Sequence, residues 1–221
     1  LMVVMMLLWI RESRPQSAIE PHRRVDVHGR TGFRIVLHDR VFLTFCGVAV
    51  LAVFCFGNFG SIFPVYVTDV LGVAKAHWGY LLALNAGVVT LVQYPLVRAL
   101  RNRNRMALLA VSSTLLAVGI GGSAFAGPLW SLVILIVVMS VGESLLAPVT
   151  AAEVSDLAPE AVRGRYMGVW TVVWNGGAAL GPVLGGWLLE HFWWGSVFLI
   201  NAPVMVVFLA AAVWLLPESK D

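Results

Sequence analysis

The chain has 221 residues, of which 59% are hydrophobic and only 12% charged, against about half and about a quarter in a soluble domain. A water-soluble fold of this size cannot hide so much apolar surface, so the solvent must be lipid. The net charge of +3 does not point to nucleic acid, because the basic residues are sorted by loop and not gathered on one face.

Residues 1–10 are apolar but too few to cross a hydrocarbon core of roughly 30 Å at about 1.5 Å per residue. They lack an initiator Met and the basic leader of a signal peptide, and they run directly into Arg11. The simplest account is the end of a transmembrane helix whose beginning is missing, so the chain is expected to be a fragment. Residues 11–40 hold seven Arg, four acidic residues and three His. Pro15, Pro21, Gly29 and Gly32 break any long helix here, so a connecting loop is expected, with a short amphipathic piece at 33–38 before the membrane. His22, His28 and His38 have no i, i+4 pairing and read as solvated loop residues, not as metal ligands.

Six apolar segments follow, at 41–67, 78–100, 106–126, 129–152, 164–189 and 193–216, each long enough to cross with some tilt. Short links between them imply an antiparallel, all-α membrane bundle over 41–216, with a polar tail at 217–221. Every Lys and Arg except Lys75 falls on alternate loops, hence on one side. The positive-inside rule places that side, and both termini, in the cytoplasm. Trp78, Trp130, Trp193 and Trp194 lie at the opposite ends of spans, where an aromatic belt is expected. Cys46 and Cys55 share one apolar run and read as small buried hydrophobes.

Polar residues inside spans need a reason. Glu143 lies about 14 residues, roughly 21 Å of helix, from the outer end of its span and about 15 Å from the inner end. Its face continues through Ser140, Ala147 and Thr150, a small and polar stripe. A carboxylate at that depth must be paired, solvated in a cavity, or protonated, and the last is what a proton carrier uses. The competing explanation is a structural carboxyl that bridges helices. Asn175, with Thr171 and Trp174 beside it, falls near the same depth, and Asn58 and Asn85 lie in the outer halves of their spans. All are cavity candidates, although membrane amides more often bridge helices. Asn201 reads as structural. Phe54, Phe56, Phe59 and Tyr66 surround Asn58; they could form a ligand surface, with lipid contact the commoner explanation.

Residues 156–190 organise the chain. Gly177, Gly181 and Gly185 are spaced i, i+4, i+8 and make a bare ridge for backbone-to-backbone packing, and Pro182 among them invites a bend. Ahead of them, Asp156 and Glu160 precede a helix N-terminus, where negative charge is favoured. Arg163 is placed to pair with Asp156 or Glu153 as a cytoplasmic latch.

The runs VGESLLAP, DLAPEAVRGRYMG and GGAALGPVLGGWLLE, in that order, resemble the second half of a major facilitator superfamily transporter, most similar to the bacterial drug/proton antiporter branch. The run FPVYVTDVLGVAKAHWGYLLALNAGVVTLVQYPLV resembles helices seven and eight of that branch. The resemblance implies a twelve-helix fold of which this chain holds the end of helix six, the inter-half loop and helices seven to twelve, the N-terminal half being absent. It implies a bacterial inner-membrane protein that exchanges a small molecule for protons by alternating access, with Glu143 in coupling or cation recognition. No cofactor, metal or nucleic acid is implied. The loop at 98–105 departs from the family by lacking the Asp and Gly of its Asp-Arg-Gly-Arg signature. A proton symporter for a sugar or organic anion shares most of these features. A membrane enzyme lacks support, there being no His-Glu-x-x-His and no phosphate-cradling glycine loop. A non-transporting scaffold has little use for Glu143.

Overall fold

The computed structural model describes residues 30–127 and 129–215. The expected preceding-helix end at 1–10, most of the loop at 11–40 with His22 and His28, and the tail at 217–221 lie outside the described residues. Among the described residues every regular element is helical.

A short amphipathic helix, α1 (Arg30–His38), precedes the first span. Asp39 then caps α2 (Arg40–Ser61), its Oδ1 accepting from the Phe42 amide at 3.0 Å. A turn at Phe63–Val65 and a π-helical turn at Tyr66–Val70 carry α2 on, so the span runs Arg40–Val70. Pro64, which cannot donate to the carbonyl four residues back, lies where this change of winding begins. Gly72, at φ 66°, adopts the left-handed conformation just beyond the helix end.

The next spans are α3 (Lys75–Leu100) and α4 (Arg105–Leu116), the latter extended by a π turn at Ala117–Gly121 and a 3-10 turn at Ser123–Phe125. Then come α5 (Leu129–Leu157) and, after a 3-10 turn at Glu160–Val162, α6 (Arg163–His191). The expected last span at 193–216 is two helices, α7 (Ser196–Leu199) and α8 (Asn201–Leu215). Among the described residues five helices are long and apolar enough to cross a membrane, and Ser196–Phe208 is a shorter apolar segment. One boundary differs in a way that matters. The fourth segment, expected to end at 152, stays helical to Leu157, which carries Glu153 and Asp156 onto the helix.

Small residues set the packing. The face of α6 bearing Gly177, Gly181 and Gly185 lies on α2 and is buried. A Cβ on Gly181 would stand 2.8 Å from the Asn58 amide nitrogen, and one on Gly177 would stand 3.1 Å from Val53 Cβ. From the other side, Gly57 of α2 meets the Ala178 carbonyl. That carbonyl is the one Pro182 leaves without its i+4 donor, so the proline frees it where a neighbouring Cα–H can approach. A second close crossing joins α4 and α5. A Cβ on Gly119 would lie 2.6 Å from Met139 Cβ, and one on Gly142 would lie 2.9 Å from the Ser112 carbonyl. Ser144 and Thr150 satisfy their hydroxyls within their own helix, Ser144 donating to Ser140 O at 2.8 Å and Thr150 to Leu146 O at 2.8 Å.

The aromatics near Asn58 are a correction. Phe54, Phe59 and Tyr66 do not face lipid; they are buried. Phe59 and Phe63 lie 5.3 Å apart by ring centroid, Phe63 meets Phe198 edge-on at 5.4 Å, and Tyr66 lies 4.7 Å from Phe198. The π turn brings Tyr66 onto α7, and this cluster closes the bundle at the end opposite the basic loops. By contrast α3 buries only Leu81 within the chain and leaves Tyr80, Leu91 and Tyr94 exposed.

Candidate functional site

Helix α5 crosses α4 through Gly142, and the next residue, about 100° around the helix, is Glu143. Its side chain reaches α3. Asn85 Nδ2 donates to Glu143 Oε2 at 3.0 Å and to Ser140 Oγ at 2.9 Å, using both amide hydrogens. Ser140 in turn donates to the Ile136 carbonyl at 2.6 Å. Because α5 runs Leu129–Leu157, Glu143 lies at its midpoint, about 21 Å of helix from either end. Glu143 is half-buried, and among the described residues its partner is a neutral amide, not a cation. An amide N–H can serve a carboxylate or a carboxylic acid alike. The Asn85 bond is therefore compatible with either protonation state of Glu143.

The other candidates divide. Asn58 is fully buried and lines no surface of this bundle; its Nδ2 donates to Asn201 Oδ1 at 3.3 Å, joining α2 to α8. Asn201 Nδ2 donates back to the Val197 carbonyl at 2.8 Å. The glycine ridge is the physical reason, since Gly185 brings α6 close enough to cover Asn58, whose Oδ1 lies 3.1 Å from where a Gly185 Cβ would be. Asn175 is exposed, its Nδ2 bonded to Thr171 O of its own helix at 2.7 Å. Trp174 is half-buried, 6.1 Å from the Phe56 ring and 5.9 Å from that of Trp170. Asn85 on α3 and Glu143 on α5 are thus joined, while Trp174 and Asn175 sit on α6.

The charged residues at the end with the basic loops have other partners than expected. Arg163 does not pair with Asp156; its Nε donates to the Ser155 carbonyl at 3.2 Å. Arg105 is the partner, with Nη1 donating to Glu153 Oε2 at 3.0 Å and Nη2 to Asp156 Oδ2 at 2.5 Å. The cause is the longer α5. Glu153 and Asp156 occupy its last turns, where a carboxylate opposes the helix dipole, and Arg105 begins α4, where a cation does the same. The two antiparallel helices bring these misplaced charges together, and each offsets the other. The hydrogen bonds, Asp156 first and then Glu153, push the Arg105 guanidinium above its ordinary pKa. His38 ends α1 with its ring Nδ1 2.8 Å from the Arg34 carbonyl.

A bundle of long apolar helices with a hydrogen-bonded carboxyl at mid-depth is the build of a multi-pass membrane protein. A sequence model of the Major Facilitator Superfamily matches residues 49–221, and the chain belongs to that superfamily. It is 38% identical over 113 residues to the Methyl viologen resistance protein SmvA of Salmonella typhimurium, covering 51% of this chain and 23% of that protein. To the Multidrug efflux pump LfrA of Mycolicibacterium smegmatis it is 38% identical over 79 residues, 35% of this chain and 16% of that protein. The transporter YdeE of Escherichia coli, 29% identical over 188 residues, aligns with 83% of this chain and 46% of its own length. In each case the aligned stretch is less than half of the relative. The superfamily is one of transporters and not of enzymes, and two of these relatives are named for methyl viologen resistance and for multidrug efflux.

Proposed function

We propose that the protein containing this chain exports small molecules, lipophilic cations foremost, in exchange for protons by alternating access. The observation that carries this is Glu143, half-buried at the midpoint of α5 and bonded through Oε2 to the neutral amide of Asn85. A proton and a cation compete for such a group, because each neutralises the same carboxylate in a site where an uncompensated charge is costly. Release of one when the other binds is the exchange an antiporter needs. The names of the similar proteins, one for methyl viologen resistance and one for multidrug efflux, support a cationic or broadly apolar cargo. In this account the basic loops face the cytoplasm of a bacterial inner membrane. An N-terminal six-helix half supplies the opposite wall of the cavity, to which Trp174 and Asn175 also contribute. The ridge of Gly177, Gly181 and Gly185 with Pro182 is the surface on which α6 shifts against α2, and the Arg105 cluster with Asp156 holds one state at the cytoplasmic end.

The test uses the full-length protein in proteoliposomes under an imposed proton gradient, with lumenal pH followed as methyl viologen and other lipophilic cations are added. Substrate-dependent proton movement that disappears in Glu143→Gln is the expected result. Movement of protons with substrate in the same direction would overturn antiport in favour of symport, and unchanged movement in the variant would remove Glu143 from the pathway.

A further inference from the structure

Helix α1 lies at the foot of the bundle and is only partly used by it. Val36 is fully buried, whereas Phe33, Ile35 and Leu37 are 50%, 40% and 57% exposed. On a helical wheel Val36, Phe33 and Leu37 form one apolar arc, and Arg34 and His38 lie on the adjoining one. Arg34, His38 and Arg40 are all exposed. The nearby acid is already engaged, since Asp39 caps α2 through Oδ1 and accepts from Tyr166 through Oδ2 at 2.7 Å. Among the described residues neither Arg34 nor Arg40 has a carboxylate partner. A third cation borders the patch, with the Arg165 guanidinium 5.9 Å from the Phe33 ring centroid.

We infer that α1 is an interfacial anchor that seats on anionic phospholipid headgroups, with Phe33 and Leu37 in the acyl boundary and Arg34 and Arg40 against the phosphates. The occupant follows from two features. Apolar side chains adjoining the exposed cations Arg34 and Arg40 match the two layers of a lipid surface, acyl chain and anionic headgroup. The patch is also continuous with α2, which enters the bilayer from Arg40 onward. Two contacts tie the anchor to α6, Asp39 with Tyr166 and Phe33 with Arg165. Lipid charge is thereby read at the first turn of the helix that carries the glycine ridge. This inference does not depend on what the protein transports.

The test places a nitroxide at Leu37→Cys in the full-length protein; Cys46 and Cys55 are buried and do not compete for the label. Collision with oxygen and with an aqueous nickel chelate is read in bilayer discs of phosphatidylcholine with and without phosphatidylglycerol. The expected result is a label protected from nickel and open to oxygen, moving deeper when phosphatidylglycerol is present. Arg34→Gln with Arg40→Gln should reduce that response, each lost charge weakening attraction to the anionic surface by about fivefold, and Arg34→Lys with Arg40→Lys should keep it. Equal exposure to nickel in both lipids would overturn the inference. So would a label shielded from both colliders whatever the lipid, which would mean that a protein segment covers α1.

Discussion

At the scale of single residues, the proposed exchange turns on the Glu143–Asn85 bond. A hydrogen bond to a charged group contributes about 1.5–3 kcal/mol, so Asn85→Ala is expected to lower substrate-driven proton exchange about tenfold or more without unfolding the protein. Asn85→Gln, whose longer amide overshoots, should recover little, and initial rates in proteoliposomes decide both. Asn58 belongs to another category. Replacing it with Leu removes a buried amide that bridges α2 and α8, at a cost of order 0.6–1.7 kcal/mol, so the melting temperature should fall while substrate affinity stays within about twofold. The depth of Glu143 was legible in the sequence, because one charge in a long apolar run is conspicuous. Its partner was not, since Asn85, Asn58 and Asn175 all stand in apolar runs, and only the rotation of each helix decides which meets Glu143.

At the scale of helices, the glycine ridge separates packing from mere composition. Gly181 has backbone of α2 within 2.8 Å of a prospective Cβ, whereas Gly186 has nothing within 4 Å. Gly181→Ala should therefore destabilise by about 1–3 kcal/mol through overpacking, and Gly186→Ala should be near neutral. Thermal unfolding of the purified variants checks the contrast. The ridge was readable from its i, i+4, i+8 spacing, but the surface it meets was not, because spacing says nothing of the neighbour. The end of α5 was misplaced for a related reason. Glu153 and Asp156 look like loop residues by polarity, yet they lie on the last turns of α5, where Arg105 of α4 pairs with both.

At the scale of the whole molecule, the Arg105 cluster joins α4 to α5 at the face that carries the basic loops. Half-exposed ion pairs contribute about 0–1 kcal/mol each to stability, so Arg105→Gln should leave the melting temperature nearly unchanged. Its expected effect is on the balance between inward-open and outward-open states, by up to about fivefold, read as labelling rates of single cysteines on each face. The expected departure of the 98–105 loop from the superfamily signature is thus met by a different arrangement, in which Arg105 of that loop finds its acids on α5. The apolar architecture and the family followed from long hydrophobic runs and the order of motifs. The partners of Arg105, Tyr166 and Asn58 lie 48 to 143 residues away in sequence, and no local pattern encodes such pairings.

In the proposed exchange one carboxyl, Glu143, holds either a proton or a cationic substrate. The most direct measurement of this is proton release by the full-length protein in unbuffered detergent solution when a lipophilic cation is added. Wild type is predicted to release protons on binding, with the yield falling at high pH as the carboxyl empties, and Glu143→Gln is predicted to release none. Equal release from Glu143→Gln at the same occupancy would contradict the account and place the exchanging group elsewhere in the protein.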